Sequence, residues 1–306
     1  MTTPETAVAT ENAPARSTRV HTALSDYVAL TKPRLNLLVI LTTLAGYYLG
    51  KDDAAPIVRM VHTVVGTTLV AGGASALNQV WERHTDKLMR RTRTRPLPAA
   101  RLAVAPALWF GLALSATGLA ELWHFANPLS ALVAFATVVS YVVVYTPMKL
   151  KSSLSTIVGA VPGALPPLIG WAAATNSLSL GGWALFGIVF FWQMPHFLAI
   201  AWMYRADYTE AGMPLLPVLE PSGHSTGRQA VLYAAATIPV SLLPTLAGLA
   251  GPRYLTAAVV LGAIMLWLSF EFAATRTQVA ARRLFFATII YLPLLFGALV
   301  ADHATR

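Results

Sequence analysis

The chain has 306 residues, of which 56% are hydrophobic and 11% are charged, and its mean hydropathy is +0.60. A soluble domain carries about 25% charged residues, so the composition excludes an ordinary soluble protein, and its apolar content excludes a disordered chain. Lys and Arg outnumber Asp and Glu by 22 to 13, and Cys is absent from the sequence. Without Cys, disulfide frameworks, thiolate metal sites and Cys nucleophiles are excluded, and a polytopic membrane protein remains.

The polar segment 1–25 predicts a disordered cytoplasmic tail, and 26–306 predicts a single transmembrane domain. The tail lacks the apolar core of a signal peptide. Nine apolar stretches follow, each close to the roughly 20 residues that a helix needs to cross a bilayer. They lie near 35–50, 61–81, 102–121, 128–148, 156–175, 180–204, 229–250, 254–272 and 284–301. Because these runs are continuously apolar, the sequence predicts an all-α bundle of about nine transmembrane helices rather than a barrel.

Charge predicts the orientation of these spans. With nine spans, 18 of the 22 Lys and Arg residues fall on the side of the N-terminus. Positive charge collects on the cytoplasmic side of membrane proteins. We therefore expect a multi-pass protein of the bacterial cytoplasmic (inner) membrane, with its N-terminus in the cytoplasm and its C-terminus outside.

A first acidic motif lies where the second span leaves the membrane. Asn78, Glu82 and Asp86 are four residues apart, so they share one face if the helix continues. Mg²⁺ prefers such oxygen ligands and commonly bridges carboxylates and substrate phosphates. Arg91 and Arg95 follow, and the guanidinium group matches phosphate oxygens.

A second acidic segment follows the sixth span on the same side, with Asp207 and the less certain Glu210. Tyr145 and Lys149 end the fourth span on that side as well. Two acidic segments with basic residues between them predict a site for a magnesium-bound allylic diphosphate. Tyr145 would stabilise a cation or bond diphosphate oxygens.

A structural interpretation of the same residues stays open from spacing alone. Glu82 and Asp86 would then be solvated acids paired with Arg83 and Arg90 along a helix surface. Asp207 would bond Arg205 or a helix terminus. Under this interpretation the protein is a transporter or an assembly scaffold.

Several sequence blocks resemble one enzyme family, the protohaem IX farnesyltransferases (haem O synthases) among the UbiA-type intramembrane prenyltransferases. The blocks occur in the family's order between about 27 and 218. They are Leu30-Thr31-Lys32-Pro33-Arg34, Asn78-Gln79-x-x-Glu82-x-x-x-Asp86, Met89-x-Arg91-Thr92-x-x-Arg95-Pro96-Leu97, Tyr145-Thr146-Pro147-Met148-Lys149, Gly163-Ala164-x-Pro166-Pro167-x-x-Gly170-Trp171, Trp192-Gln193-Met194-Pro195-His196 and Asp207-Tyr208-x-x-Ala211-Gly212-x-Pro214-x-Leu216-Pro217.

The resemblance implies transfer of a farnesyl group from farnesyl diphosphate to a vinyl side chain of protohaem IX (haem B), with addition of water, to give haem O. It implies Mg²⁺ as cofactor and a nine-helix bundle. Metal ligands would be Asn78, Glu82, Asp86 and Asp207, and diphosphate would be held by Arg91, Arg95, Lys149 and Tyr145. Asp86, Lys149 and Asp207 would be the catalytic residues.

Haem needs axial ligands or cations for its propionates, and His is the usual axial ligand. His196 is the best candidate ligand because it lies in a matching block, and Lys32 and Arg34 are candidates for the propionates. A quinone precursor or chlorophyllide as acceptor remains an alternative. The expected partners are the lipid bilayer and a downstream haem-modifying enzyme, and no nucleic acid.

Overall fold

The computed structural model describes residues 22–51, 56–303 and 305, and all regular structure in these ranges is helical. We label its helices α1 to α12 in chain order. They are α1 (Ala23–Leu30), α2 (Pro33–Gly50), α3 (Ile57–Leu88), α4 (Val104–Ala126), α5 (Pro128–Met148), α6 (Ser155–Thr175), α7 (Leu180–Met203), α8 (Arg205–Glu210), α9 (Leu216–Leu219), α10 (His224–Leu246), α11 (Pro252–Thr275) and α12 (Gln278–His303).

Within the described ranges, eight helices are long and apolar enough to cross a membrane, namely α3 to α7 and α10 to α12. A ninth span results if α1 and α2, which meet at a bend of 46°, are counted together. The prediction of an all-α bundle of about nine transmembrane helices is therefore confirmed. Large apolar side chains such as Leu246, Trp109 and Trp267 are exposed on its outer surface, as a lipid-facing surface requires.

The start of the chain differs from the sequence prediction in one detail. Helix α1 begins at Ala23, inside the segment 1–25 that was predicted as a tail, and the Thr22 side chain caps it by accepting from the Ser25 amide. Residues 1–21 lie outside the described residues. The bend between α1 and α2 falls at Lys32, which has a positive φ of 50°, and Pro33 then starts α2.

Helix α3 is longer than its predicted span of 61–81. It continues to Leu88 without a break, so the face that carries Asn78, Glu82 and Asp86 stays continuous beyond the apolar part of the helix. Four-residue steps on one uninterrupted helix bring these three side chains to the same side.

Helices α2 and α6 touch through their backbones. A Cβ atom on Gly46 would collide with the Pro167 carbonyl, and one on Gly170 would collide with the Thr43 carbonyl. Small residues permit such close approach between membrane helices. The contact fixes α6, whose opposite end begins beside the site described next.

Candidate active site

A polar cavity, which we call the acid cavity, opens at the end of the bundle where α3, α5 and α7 finish and α6 begins. Residues from the start of α2, the loop after α3 and the segment after α8 complete its walls. Lys32, predicted for haem propionates, lines it. So do six of the residues predicted for diphosphate and metal, namely Glu82, Asp86, Arg91, Arg95, Tyr145 and Lys149.

The three polar residues of α3 are almost completely buried, with exposed fractions of 0% for Asn78, 6% for Glu82 and 1% for Asp86. Buried polar and charged groups require partners. Each of the three contacts one cation: Lys32 Nζ donates to Asn78 Oδ1 at 2.9 Å, Lys149 Nζ lies 2.8 Å from Glu82 Oε1, and Arg95 Nη1 lies 2.7 Å from Asp86 Oδ2.

These partners come from outside helix α3. The alternative interpretation paired the acids with Arg83 and Arg90 along the helix surface, but Arg83 donates to the Val80 carbonyl instead. The Thr92 hydroxyl also donates to the Asp86 carbonyl at 2.8 Å, which ties the following loop to the end of the helix. Three separate segments therefore converge on the face of α3.

Lys149 is one of the basic residues that line the cavity. It directly follows α5, whose last turns widen into a π-helix over Val139–Tyr145, a distortion common at functional sites. Its Nζ lies 4.6 Å from the centre of the Tyr145 ring. Burial opposes the charge of Lys149, but Tyr145 and the Glu82 carboxylate outweigh it and raise the pKa of Lys149 well above its ordinary value. The ammonium group thus stays charged at neutral pH.

The second acidic segment reaches the cavity through a tyrosine. Tyr208 on α8 lines the cavity, and the Arg91 guanidinium lies 3.4 Å from its hydroxyl. Asp207, which is half-buried, and Glu210, which is exposed, do not line the cavity. The structure therefore brings this segment to the site but not its carboxylates.

An apolar contact joins the two acidic segments. Met89, just after α3, packs against Ala211 and Met213, just after α8, and all three are buried.

Within 22–51, 56–303 and 305, no group of three His, Asp or Glu residues lies close enough to form a metal site by itself. The carboxylates available inside the acid cavity are those of Glu82 and Asp86.

A second cavity, which we call the apolar chamber, extends from the acid cavity into the middle of the bundle. It encloses about 330 Å³ between α2, α3, α5, α6 and α7. Lys32, Tyr145 and Phe197 line both cavities and so form the junction between them. Most of the chamber wall is apolar, with Pro162 and Pro166 of α6 among its residues.

His196 lines the apolar chamber near this junction. Its ring stacks on those of Phe285, at 4.9 Å, and Trp192, at 5.6 Å. Its Nδ1 lies 2.9 Å from the Thr288 hydroxyl, which itself donates to the Phe285 carbonyl. Since the hydroxyl proton is used there, we assign the imidazole proton to Nδ1, which leaves Nε2 as a free acceptor.

One residue predicted for the site lies away from both cavities, and two residues that line the chamber were not predicted. Arg34, predicted for a propionate, is exposed on α2 and lines neither cavity. Tyr141 and Phe197 line the chamber but were not singled out from the sequence. Tyr141 lies four residues before Tyr145 on one helix, and Phe197 follows the Trp192–His196 block, so both positions had a usable signal.

The arrangement fits an amphiphile with an anionic head and an apolar tail. The acid cavity contains four basic side chains, and each diphosphate oxygen is a strong acceptor for such donors. The chamber behind it offers a volume with mostly apolar walls for a hydrocarbon.

Comparison with known proteins gives the same picture. The model of the UbiA prenyltransferase family matches residues 39–292. The chain is 46% identical to the protoheme IX farnesyltransferase of Solibacter usitatus over 92% of its own length and 99% of that protein. It is 45% identical to the protoheme IX farnesyltransferase of Myxococcus xanthus, over 95% of its own length and 99% of that protein.

Solved structures share the fold at low identity. A structure of digeranylgeranylglyceryl phosphate synthase matches with a TM-score of 0.79 and 14% identity, over 92% of this chain and 99% of that one. A UbiA homologue from Archaeoglobus fulgidus bound to GPP and Mg²⁺ matches with a TM-score of 0.62 and 16% identity, over 90% of this chain and 99% of that one.

Proposed function

The chain belongs to the UbiA prenyltransferase family, and from this premise we propose that it transfers a farnesyl group from farnesyl diphosphate to a vinyl side chain of protohaem IX. Water adds in the same reaction, and the products are haem O and diphosphate. The observation that carries the proposal is the direct junction between a cationic cavity and an apolar chamber. Relatives above 40% identity that are named for this reaction support the choice of donor and acceptor.

Diphosphate binding falls to the basic side chains of the acid cavity. Arg91, Arg95 and Lys149 line one small volume, and Tyr145 at the junction adds a hydroxyl that can donate. In the structure Lys149 and Arg95 are bound to the carboxylates of α3. We propose that diphosphate takes over these two cations.

If diphosphate binds Lys149 and Arg95, the carboxylates of Glu82 and Asp86 become available, and these groups suit Mg²⁺. Glu82 and Asp86 supply hard carboxylate oxygens on one helix face, and Asn78 supplies an amide oxygen one step before them. We propose these three residues as metal ligands, together with Asp207, whose neighbour Tyr208 already lines the cavity. When bound, the metal neutralises charge that develops on the leaving diphosphate.

In this proposal the reaction takes place at the junction between the acid cavity and the apolar chamber. The bond between C1 of farnesyl and the diphosphate oxygen breaks, and its electron pair leaves with the diphosphate. The vinyl electrons then form a bond to C1, water adds to the resulting cation on the haem side chain, and a proton is lost. Tyr145 and Phe197 line the junction, where their aromatic rings would stabilise the farnesyl cation, and the mostly apolar walls of the chamber would shield it from water.

Haem is placed by His196, Lys32 and Arg34 in this proposal. His196 offers an unprotonated Nε2 beside the junction, which suits axial ligation of the iron. Lys32 at the junction and Arg34 at the exposed start of α2 provide cations for the propionates.

We further propose that the chain from α1 onwards acts as one prenyltransferase domain in the bacterial cytoplasmic membrane, with the residues before α1 as a cytoplasmic tail. The N-terminus is cytoplasmic and the C-terminus is outside in this orientation, which the excess of Lys and Arg around the acid cavity supports. Haem O produced in the bilayer would pass to a downstream haem-modifying enzyme.

Mass spectrometry of haem tests the function directly. The protein in lipid, incubated with protohaem, farnesyl diphosphate and Mg²⁺, should yield a hydroxyethylfarnesyl haem, and a chelator should abolish the product. A folded protein that leaves haem unchanged but prenylates a quinone precursor or chlorophyllide would refute the choice of acceptor. Activity that is unchanged by the chelator would refute the metal site.

A further inference from the structure

The apolar chamber has a length that can be read from its walls. Three of the helices around it contribute long stretches of its wall, from Gly159 to Ile169 on α6, from Ser75 to Thr67 on α3 and from Phe197 to Val189 on α7. At about 1.5 Å per helical residue, these stretches are roughly 15, 12 and 12 Å long. Along these three helices the chamber is therefore roughly 12–15 Å deep.

The length matches one isoprenoid class. A farnesyl group has about twelve carbons along its main chain and is roughly 14 Å long when extended, since bonds of about 1.5 Å advance about 1.25 Å each. One isoprene unit adds roughly 5 Å by the same geometry. A geranylgeranyl group is therefore too long for the chamber, and a geranyl group leaves its deep end empty.

The deep end is closed by side chains on tightly packed helices. Thr67, Ile169 and Val189 are 2%, 1% and 3% exposed. Directly behind Ile169, Gly170 touches the Thr43 carbonyl of α2, so α2 and α6 cannot approach further. A shortened side chain at position 169 would leave space that the helices cannot fill by moving together.

We propose that this closed end selects the length of the prenyl donor, with Ile169 as the specificity-determining residue. The inference rests on the proposed function, because it takes a prenyl diphosphate bound with its head in the acid cavity as its premise. A C15 chain fills the chamber from the junction to Ile169. A C20 chain is excluded because its last isoprene unit meets the buried Ile169 side chain.

The test compares geranyl, farnesyl and geranylgeranyl diphosphate as donors for Ile169→Ala. We expect the ratio of kcat/KM for geranylgeranyl over farnesyl diphosphate to rise about tenfold or more, as one methylene in an apolar pocket already changes selectivity about tenfold. Leu168→Ala is the matched control, because Leu168 is equally buried on the same helix but does not line the chamber. It should keep the wild-type order of donors.

A filling variant tests the opposite direction and stays informative if Ile169→Ala does not fold. Val189→Phe shortens the chamber from α7, and we expect the preference to move towards geranyl diphosphate. The inference is overturned if the ratios stay unchanged in a folded Ile169→Ala or Val189→Phe variant, or if Leu168→Ala shifts them equally.

Binding separates this inference from the proposed function. Each diphosphate is added with Mg²⁺ but without haem, and the rise in unfolding temperature reports its binding. If wild type binds farnesyl diphosphate best and Ile169→Ala reverses the order, the length selection stands even when no haem product forms. If wild type binds the three diphosphates equally, the length selection is refuted whichever acceptor is used.

Discussion

The acid cavity and the apolar chamber meet at Lys32, Tyr145 and Phe197, but they are built in different ways. The cavity consists of a few charged groups, and its two buried carboxylates each bind one cation from another segment. Apart from Lys32 at the junction, the chamber consists of apolar side chains and a few uncharged polar ones from five helices, with its deep end fixed by backbone contacts between α2 and α6.

This difference teaches where each property of the enzyme resides. Burying a charged group in an apolar bundle is energetically unfavourable, so such groups indicate a functional site. Single substitutions of the charged residues in the acid cavity should therefore remove turnover. Chamber residues contribute shape, so single substitutions there should change which substrate is used and leave the chemistry intact.

The largest effect is expected for Asp86→Asn in the acid cavity. The change removes the charge of a proposed metal ligand and keeps the size of the side chain. We expect kcat for haem farnesylation to fall about 10³-fold, because stabilisation of the leaving group by a metal ion amounts to several kcal/mol. The measurement is the initial rate of haem O formation in lipid at saturating Mg²⁺.

Asp26→Asn is the matched control for this variant. Asp26 is also buried, at 4% exposure, and it lies 3.0 Å from Arg101, but it does not line the acid cavity. Both variants break a buried ion pair and should lower the unfolding temperature. An equal loss of rate in both variants would mean that Asp86 acts through the fold, contrary to our assignment.

The second effect concerns the diphosphate. Lys149→Ala should lower kcat/KM for farnesyl diphosphate about 10²–10³-fold, the usual cost of losing one donor to a developing anion. Lys151 lies two residues away and is exposed, so Lys151→Ala should change kcat/KM less than twofold. Similar losses in both variants would show that general positive charge at the surface is sufficient.

Hydropathy was enough to predict the eight long apolar helices of the described residues, and a ninth span if α1 and α2 are counted together. Four-residue spacing was enough to predict the face of Asn78, Glu82 and Asp86. The pairing of Lys149 with Glu82 was not predicted, since 67 residues separate them and only packing brings them together. The chamber residues could not be recognised for a related reason. Thr67, Ile169 and Val189 have the character of ordinary core residues, and their common role depends on three helices at once.

Lys32 is a further example of what spacing leaves open. Its position before the first span suggested a haem propionate. The structure adds two features that spacing does not report: the ammonium group donates to Asn78, and the residue lines both cavities. The bend between α1 and α2, which aims this side chain inwards, is a tertiary feature that hydropathy does not report.

The third largest effect is expected on the affinity for haem. Thr288→Val removes the acceptor that holds His196 Nδ1–H, and loss of such a supporting contact costs about 10–100-fold in affinity. A haem titration followed at the Soret band should show this loss, and His196→Ala should show a larger one. Binding of farnesyl diphosphate should stay unchanged in both variants.

His303→Ala serves as the control for these two variants. Its Nδ1 bonds the Leu249 carbonyl, and it does not line the chamber. Its haem affinity should equal that of wild type. If Thr288→Val leaves both the affinity and the Soret position unchanged, His196 is not an iron ligand in the state that binds haem.

The smallest effect is expected for the hydroxyl group of Tyr145, the residue that the two regions share at the junction. Tyr145→Phe keeps the ring and removes the hydroxyl, and we expect kcat to fall less than about tenfold, the range of one ordinary hydrogen bond. Tyr145→Leu removes the ring as well, and a lost cation–π contact of about 0.5–2 kcal/mol should lower kcat up to about thirtyfold further. Equal rates for the two variants would assign the role of Tyr145 to its hydroxyl, and the junction would then belong to the acid cavity alone.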